Sequence, residues 1–254
     1  MYEQVCYKKP FLKDVILRLD FGAPVAALSR AVPQKIATLA LQRFPIAEQQ
    51  KGKSHGVVIS DAAIETTQQE IVQWLYHGRN REKTLSITAS ALFLSHRAYE
   101  SYEALKNDIN PVIDAVFDLQ KDLVIARIGL RYINVLETDK LNPLSWEGYI
   151  RNDLLGSINA FGDTGTLSRA FQIIEFNDDG RQTKLQLGIA NPDFPAPIKR
   201  NQFVIDIDSS YQGALGGPEV KDAIEIAHSK IQDLFETIIT QTTRDLMEQV
   251  LDGH

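Results

Sequence analysis

The sequence predicts an α+β fold built from one module used twice: a strand, a helix, several antiparallel strands and a closing helix. Two segments with two-residue periodicity, residues 14–21 and residues 123–136, each open one copy of this order. Each is followed by a helical pattern, then by short alternating segments, then by a second helical pattern. From this duplicated module we expect two curved antiparallel sheets packed with long helices.

The elements of the first half follow from periodicity and from turn residues. In order, they are a strand at 14–21, a short helix at 33–44, strands at 57–67, 70–76, 83–88 and 91–94, and a helix at 99–119. The short helix begins at Pro33, because proline fits the first turn of a helix. Pro111 predicts a kink or a restart inside the last helix.

The second half repeats the order with one strand fewer. Its elements are a strand at 123–136, a helix at 143–158, a hairpin of 169–176 and 182–189, a strand at 202–208 and a long helix at 219–251. The hairpin turn reads Asn-Asp-Asp-Gly, a strong signal for a tight turn. No linker rich in glycine, serine or proline separates residues 1–122 from residues 123–254. We therefore expect the two halves to associate tightly as one rigid unit.

The composition predicts a cytoplasmic protein with no membrane segment. The chain has 254 residues and a formal net charge of −6, which argues against a general nucleic-acid or membrane coat, because such surfaces need an excess of Lys and Arg. Its single cysteine, Cys6, cannot form an internal disulfide, which suits a reducing compartment. No apolar run approaches the ~18 residues of a membrane span. The five histidines have no metal-ligand spacing, so we predict no metal site and no cofactor.

The strand at 123–136 carries the candidate binding residues. Its periodicity puts Arg127, Gly129 and Arg131 on one face, and the glycine leaves room above the backbone between the two guanidiniums. The two arginines are roughly 13 Å apart along the strand, a spacing that suits an extended anionic ligand or a protein partner. Arg18, at the comparable point of the strand at 14–21, joins them if the two halves pair through these strands.

The alternative for these arginines is an ion pair within the sheet. Glu65, Glu175 or Asp206 would then occupy the guanidinium groups. A paired arginine would be largely buried, whereas an arginine that binds a ligand would be exposed and short of carboxylate partners. The sequence leaves both interpretations open.

Residues 77–83 form the densest positive cluster and read as a turn between two strands. The cluster contains Arg79 and Arg81. Cations at the tip of a hairpin make a local basic patch that suits the phosphate backbone of a nucleic acid. The alternative is a turn whose charges are simply solvated.

Asp206 and Asp208 fall on one face of a predicted strand, where a third ligand would let them hold a divalent metal. They support an alternative function, a metal- or phosphate-dependent enzyme acting on a nucleotide or a nucleic acid. No pattern identifies a catalytic residue, since the chain has neither a nucleophile elbow nor a phosphate-binding loop.

Residues 127–134, Arg-Ile-Gly-Leu-Arg-Tyr-Ile-Asn, resemble the signature of an uncharacterised, sporadically distributed family of prokaryotic proteins of similar length. The resemblance extends to residues 15–21, 99–102 and 228–235. It implies no catalytic residues, because none is assigned in the family. A patchy distribution is compatible with a role linked to defence or to mobile elements.

These observations together predict a non-enzymatic binding or regulatory protein. It would recognise a protein partner or an extended anionic ligand through the arginine-bearing sheet face. A further possibility is an assembly subunit that forms a homodimer through the C-terminal helix at 219–251.

Overall fold

The computed structural model describes residues 6–59, 64–139, 142–162 and 165–250, with the side chains of these residues except 53–71 and 250. The strands are β1 (Cys6–Tyr7), β2 (Leu12–Phe21), β3 (Ile46–Ile59), β4 (Ile64–His77), β5 (Lys83–Ile87), β6 (Ala91–His96), β7 (Ile125–Glu137), β8 (Ala170–Asp178), β9 (Arg181–Ile189), β10 (Gln202–Leu215) and β11 (Gln249–Val250). The α-helices are α1 (Gln34–Arg43), α2 (Tyr102–Leu119), α3 (Gly156–Phe161), α4 (Gly217–Ile238) and α5 (Gln241–Leu246).

Nine strands form one antiparallel sheet in the order β3-β4-β5-β6-β2-β7-β10-β9-β8, and β1 pairs separately with β11. The predicted fold of two curved sheets packed with long helices is therefore wrong. Four strands lie outward of β2 and three lie outward of β7, so the two halves of the chain do not carry the same set of strands. Alternation identifies which side chains of a strand are buried, but it does not identify which strands are neighbours.

The chain divides into two compact units, each assembled from separated segments. Unit 1 consists of Met1–Val15, Gly129–Tyr211 and Asp222–His254, and unit 2 consists of Ile16–Ile128 and Gln212–Lys221. The association of residues 1–122 and 123–254 as two halves of one rigid body stays a prediction.

Unit 2 has its core between helix α2 and one face of strands β2, β5 and β6. The odd-numbered residues of β2 from Leu17 to Phe21 are buried in this unit, which confirms the half-buried strand predicted there. Aliphatic side chains with at most 2% exposure make up the core: Leu17, Leu19, Leu85, Ile87, Leu92, Leu94, Leu105, Ile109 and Val112. Because burial of one such side chain contributes about 1.5–3 kcal/mol, this layer is the main source of stability in unit 2.

Helix α2 begins with a side-chain cap and runs without interruption to Leu119. The hydroxyl of Ser101 accepts a hydrogen bond from the backbone N–H of Ala104 at 3.1 Å, which satisfies a donor that the helix itself leaves free. The helix continues through Pro111, so the predicted restart is wrong.

Unit 1 has its core between helix α4 and one face of strands β7, β9 and β10. The rings of Trp146 and Phe203 pack with centroids 5.2 Å apart, and the hydroxyl of Tyr132 lies 2.9 Å from Nδ1 of His228 on α4. Both aromatic pairs are buried. His228 thus has the structural role expected of a histidine on the buried side of a helix.

Two of the predicted helices of unit 1 are shorter than expected. Of residues 143–158, only the 3₁₀ turn Asn152–Leu154 and the start of α3 are helical. The predicted helix at 219–251 is divided into α4 and α5, because the hydroxyl of Thr240 donates to the carbonyl of Gly148 and Ile239 forms a bridge with Ile150. In the described ranges, none of the helices has the length and the apolar content needed to cross a bilayer.

The β8–β9 hairpin has the tight turn that the sequence predicts. Its two-residue loop consists of Asp179 and Gly180, whose φ angles are 46° and 76°. Positive φ at both loop positions is the requirement of a type I′ turn, and it explains the Asp-Gly pair.

We expect Gly188→Ala to destabilise the β8–β9 pairing. Gly188 has a φ of 145°, and a Cβ built there would lie 2.0 Å from the carbonyl oxygen of Ala170. Backbone strain alone costs about 1–3 kcal/mol, and the contact adds to it. A lower urea midpoint, followed by circular dichroism, would show the effect. Gly52→Ala is the matched control, since a Cβ at Gly52 on strand β3 meets nothing within 4 Å; equal midpoints for the two variants would contradict this account.

Candidate functional site

Two arginines of the predicted binding face lie in unit 2, where strands β2 and β7 place them beside one carboxylate. Nε of Arg18 donates to Oδ1 of Asp20 at 2.8 Å, and Nη1 of Arg127 lies 3.6 Å from Oδ2 of Asp20. Arg18 and Asp20 are two residues apart on β2 and therefore share its solvent-facing side. We refer to these three residues as the Arg18–Asp20–Arg127 cluster.

This cluster carries two positive charges against one negative charge. The side chains of Arg18 and Arg127 are 56% and 34% exposed, and that of Asp20 is 24% exposed. The 3.6 Å separation is an ion-pair distance, but it is longer than an N–H···O hydrogen bond. Within the described residues, the Arg127 guanidinium therefore donates no hydrogen bond. Its planar set of donors can receive a second carboxylate or a phosphate oxygen.

Arg131 lies in unit 1, and its guanidinium is already bound. Its Nε and Nη2 donate to the two oxygens of Asp206 at 2.8 and 2.5 Å, a bidentate ion pair across strands β7 and β10. The hydrogen bond to Asp206 is the main cause that raises the pKa of Arg131, and the charges of Asp208 and Asp14 add to it against the effect of burial. The ion-pair interpretation is thus confirmed for Arg131, although its side chain is 42% exposed.

The other residues named with these arginines have different environments. Gly129 is buried in β7, and its role in the close approach of a ligand stays a prediction. Glu175 is exposed on β8 and forms no ion pair among the residues that the structure describes. The side chain of Glu65 lies outside the described part of the chain.

The predicted basic turn connects β4 to β5 in unit 2. Arg81, whose φ is 57°, forms an ion pair with Glu48 on β3, and Arg79 is exposed without an ion-pair partner in the described ranges. The hydrogen bond from Arg81 is the main cause that lowers the pKa of Glu48, against the opposing effect of burial. The turn therefore presents less positive charge than its sequence suggests.

Unit 2 also contains a buried charge cluster that the sequence analysis missed. Nζ of Lys83 lies 2.6 Å from Oδ2 of Asp108, and Nε2 of His96 lies 3.2 Å from the same oxygen, without hydrogen-bond geometry. Burial raises the pKa of Asp108, but its contacts with His96 and Lys83 outweigh burial and leave that pKa below its usual value. The sequence does contain a signal for this cluster, because the charged residue Asp108 falls on the buried stripe of α2 between Leu105 and Ile109.

Unit 1 contains a second buried cluster, which joins β1, α4 and α5. The side chain of Glu236 accepts hydrogen bonds from the hydroxyl of Tyr7 at 2.7 Å and from Nε of Arg244 at 2.8 Å. Nη2 of Arg244 also donates to the backbone carbonyl of Glu236 at 2.6 Å. No sequence signal points to this cluster, because Tyr7 and Glu236 are 229 positions apart.

Neither protein-family models nor curated proteins give a match to the chain. The resemblance of residues 127–134 to a prokaryotic family accordingly stays a prediction.

Proposed function

We propose that the chain is a non-enzymatic binding protein of the cytoplasm and that its Arg18–Asp20–Arg127 cluster binds an acidic segment of a partner protein. The observation that carries this proposal is the shared carboxylate. Two part-exposed guanidiniums contact only Asp20 among the described residues, and that of Arg127 donates no hydrogen bond. A glutamate or aspartate of the partner would pair with Arg127 and balance the charge of the cluster.

The charge of the cluster favours a single carboxylate of a protein segment over the phosphate backbone of a nucleic acid. The formal net charge is −6, so a long polyphosphate is repelled by most of the molecule. The excess of one positive charge in the cluster matches one carboxylate rather than a run of phosphates. Arg81, in the basic turn, is bound to Glu48 and adds little to a phosphate-binding surface.

No observation favours the metal- or phosphate-dependent enzyme. That alternative would use Asp206 as a ligand, and both oxygens of Asp206 accept hydrogen bonds from Arg131. Across the described ranges, no group of three or more His, Cys, Asp or Glu side chains could hold a metal ion. The binding function therefore has the better support.

The proposal predicts binding changes of opposite sign within one cluster. A fluorescently labelled peptide with one glutamate among uncharged residues serves as the probe, with affinity measured by anisotropy on the full chain. Arg127→Ala should weaken binding about tenfold, since a part-exposed charge-assisted hydrogen bond is worth about 1.4 kcal/mol. Asp20→Asn should strengthen binding, because it removes the carboxylate that competes with the probe.

Arg200→Ala is the matched control for these variants. Arg200 is as exposed as Arg18, at 56%, but it is paired with Asp193 in unit 1. Its replacement should leave the affinity for the probe unchanged. Weaker binding by Asp20→Asn, or an equal loss in Arg200→Ala, would refute the cluster as the binding site. Tighter binding of a short single-stranded DNA than of the peptide would favour the nucleic-acid alternative instead.

A further inference from the structure

Strand β8 is the last strand of the nine-stranded sheet, and one of its edges is open. Its nine residues pair with β9 from Ala170↔Ile189 to Asp178↔Arg181. No other backbone pairing of β8 occurs in the described part of the chain. The open edge therefore presents a row of backbone N–H and C=O groups that a further strand could pair with.

The sequence of β8 has few of the residues that protect an open edge, with Glu175 and Asp178 as its charged side chains. The strand reads Ala-Phe-Gln-Ile-Ile-Glu-Phe-Asn-Asp, with no lysine, proline or glycine. Its aromatic and β-branched residues have high strand propensity. Near its centre, Ile173 is 57% exposed, one of the most exposed large apolar side chains of the described residues. A paired edge would cover this side chain.

The charges along β8 are complementary to those of a second, antiparallel copy. Arg169 precedes the strand, and Glu175 lies near its end. Both are exposed. Neither has an ion-pair partner among the described residues, although the Arg169 guanidinium stacks over the ring of Phe194 at 4.2 Å. Antiparallel pairing about Ile173 would place Ile173 opposite Ile173 and Arg169 diagonally across from Glu175 of the other copy, twice by symmetry.

We infer that β8 is a self-association edge through which two copies of this chain pair antiparallel, about a two-fold axis at Ile173. The pairing extends each sheet into that of the second copy. It satisfies the open backbone groups, covers Ile173 and joins each Arg169 to a Glu175. This interface uses none of the residues of the Arg18–Asp20–Arg127 cluster, so its test is independent of the test of the proposed function.

Sedimentation velocity of the full chain over a dilution series tests the inference. The wild-type protein should sediment as a dimer at high concentration and as a monomer on dilution. Ile173→Lys should be a monomer throughout the series, because two lysines would meet at the axis. Ile226→Lys is the matched control: Ile226 is 55% exposed on α4, and its replacement should leave the dimer intact.

A charge exchange makes the test specific to the stated register. Arg169→Glu and Glu175→Arg should each weaken the dimer, since each places like charges diagonally across the axis, and the double variant should restore it. A wild-type monomer at every concentration would overturn the inference. A double variant with a weaker dimer than both single variants would also overturn it. A dimer lost in Ile226→Lys but kept in Ile173→Lys would overturn it as well, because it would place the interface on the C-terminal helix.

Hydrogen exchange gives a readout that needs no variant. The backbone amides on the open edge of β8 should exchange slowly in concentrated protein and rapidly in dilute protein. Amides of β8 whose exchange does not change with concentration would contradict the paired edge.

Discussion

Replacing Glu236 with alanine should destabilise the protein by roughly 3–5 kcal/mol, the largest effect that we expect from a single substitution. The side chain of Glu236 is 2% exposed, and that of its ion-pair partner Arg244 is 18% exposed. The variant would leave Nε of Arg244 and the Tyr7 hydroxyl without their acceptor, while the contact of Arg244 with the backbone carbonyl at position 236 would remain. Because these three residues join β1, α4 and α5, the loss of the carboxylate should also loosen β1 and α5.

Thermal unfolding by circular dichroism measures this effect, and Glu248→Ala provides the control. Glu248 pairs with Lys9, and both side chains are exposed, so its removal should change the melting temperature little. Glu236→Gln keeps a similar shape without the charge and should fall between wild type and alanine. A Glu236→Ala protein that melts together with the Glu248→Ala control would show that Glu236 does not hold these elements together.

The ionisation of Tyr7 gives a second measure of the same cluster. Burial, and then the hydrogen bond to Glu236, raise the pKa of Tyr7 far above its ordinary value. Without the carboxylate, Tyr7 should ionise at a lower pH than in the wild-type protein. Ultraviolet difference titration, with Tyr7→Phe to identify the signal, would detect the change.

Replacing Asp108 with alanine should destabilise the protein by about 3 kcal/mol, the second large effect. Asp108 is 4% exposed and binds Lys83, whose side chain is 23% exposed. Because Lys83 is partly exposed, its ammonium group can recover some hydration in the variant, which places the loss at the lower end of the range for buried ion pairs. Asp118→Ala is the control on the same helix, since Asp118 and Lys35 form an exposed pair and should contribute little.

The Asp108 contribution should depend on pH in a defined direction. Contacts in the folded state hold the pKa of Asp108 below its usual value, so the folded protein binds this proton less readily than the unfolded chain. The stabilisation is therefore fully present above about pH 4, near the carboxyl pKa of an unfolded chain, and it is lost as the pH falls through the folded-state pKa. The difference in urea midpoint between wild type and Asp108→Ala should stay constant above that pH and shrink below it. A difference that grows in acid would contradict the assigned sign.

The sequence predicts the local structure of this protein better than its assembly. Strands β2 and β7 and the β8–β9 hairpin were predictable, because alternation and an Asp-Gly loop are local signals. The single sheet was not predictable, because β6 and β7 become neighbours of β2 through contacts between distant segments of the chain. The break between α4 and α5 was also hidden, because it depends on hydrogen bonding to Gly148 far away in the chain.

In the candidate site, too, the contacts that depend on local spacing were predictable and those that depend on strand pairing were not. The spacing of Arg18 and Asp20 places them on one side of a strand, so their contact was available from periodicity alone. The Arg131–Asp206 pair was predicted as one of several alternatives, but the sequence did not choose among Glu65, Glu175 and Asp206. Asp20 as the shared partner of two arginines was missed, because that role needs the pairing of β2 with β7.

The segmented composition of the two units has a consequence for how the chain folds during its synthesis. Most of unit 2, the segment Ile16–Ile128, is synthesised before the segments Gly129–Tyr211 and Asp222–His254 of unit 1. Strands β9 and β10 thus emerge before the helix that covers their buried face. Until α4 is translated, this part of the nascent chain exposes apolar strands. Its core then forms slowly, because it needs contacts between segments that are far apart in the chain. Chaperone assistance therefore has the most to contribute while unit 1 is being completed.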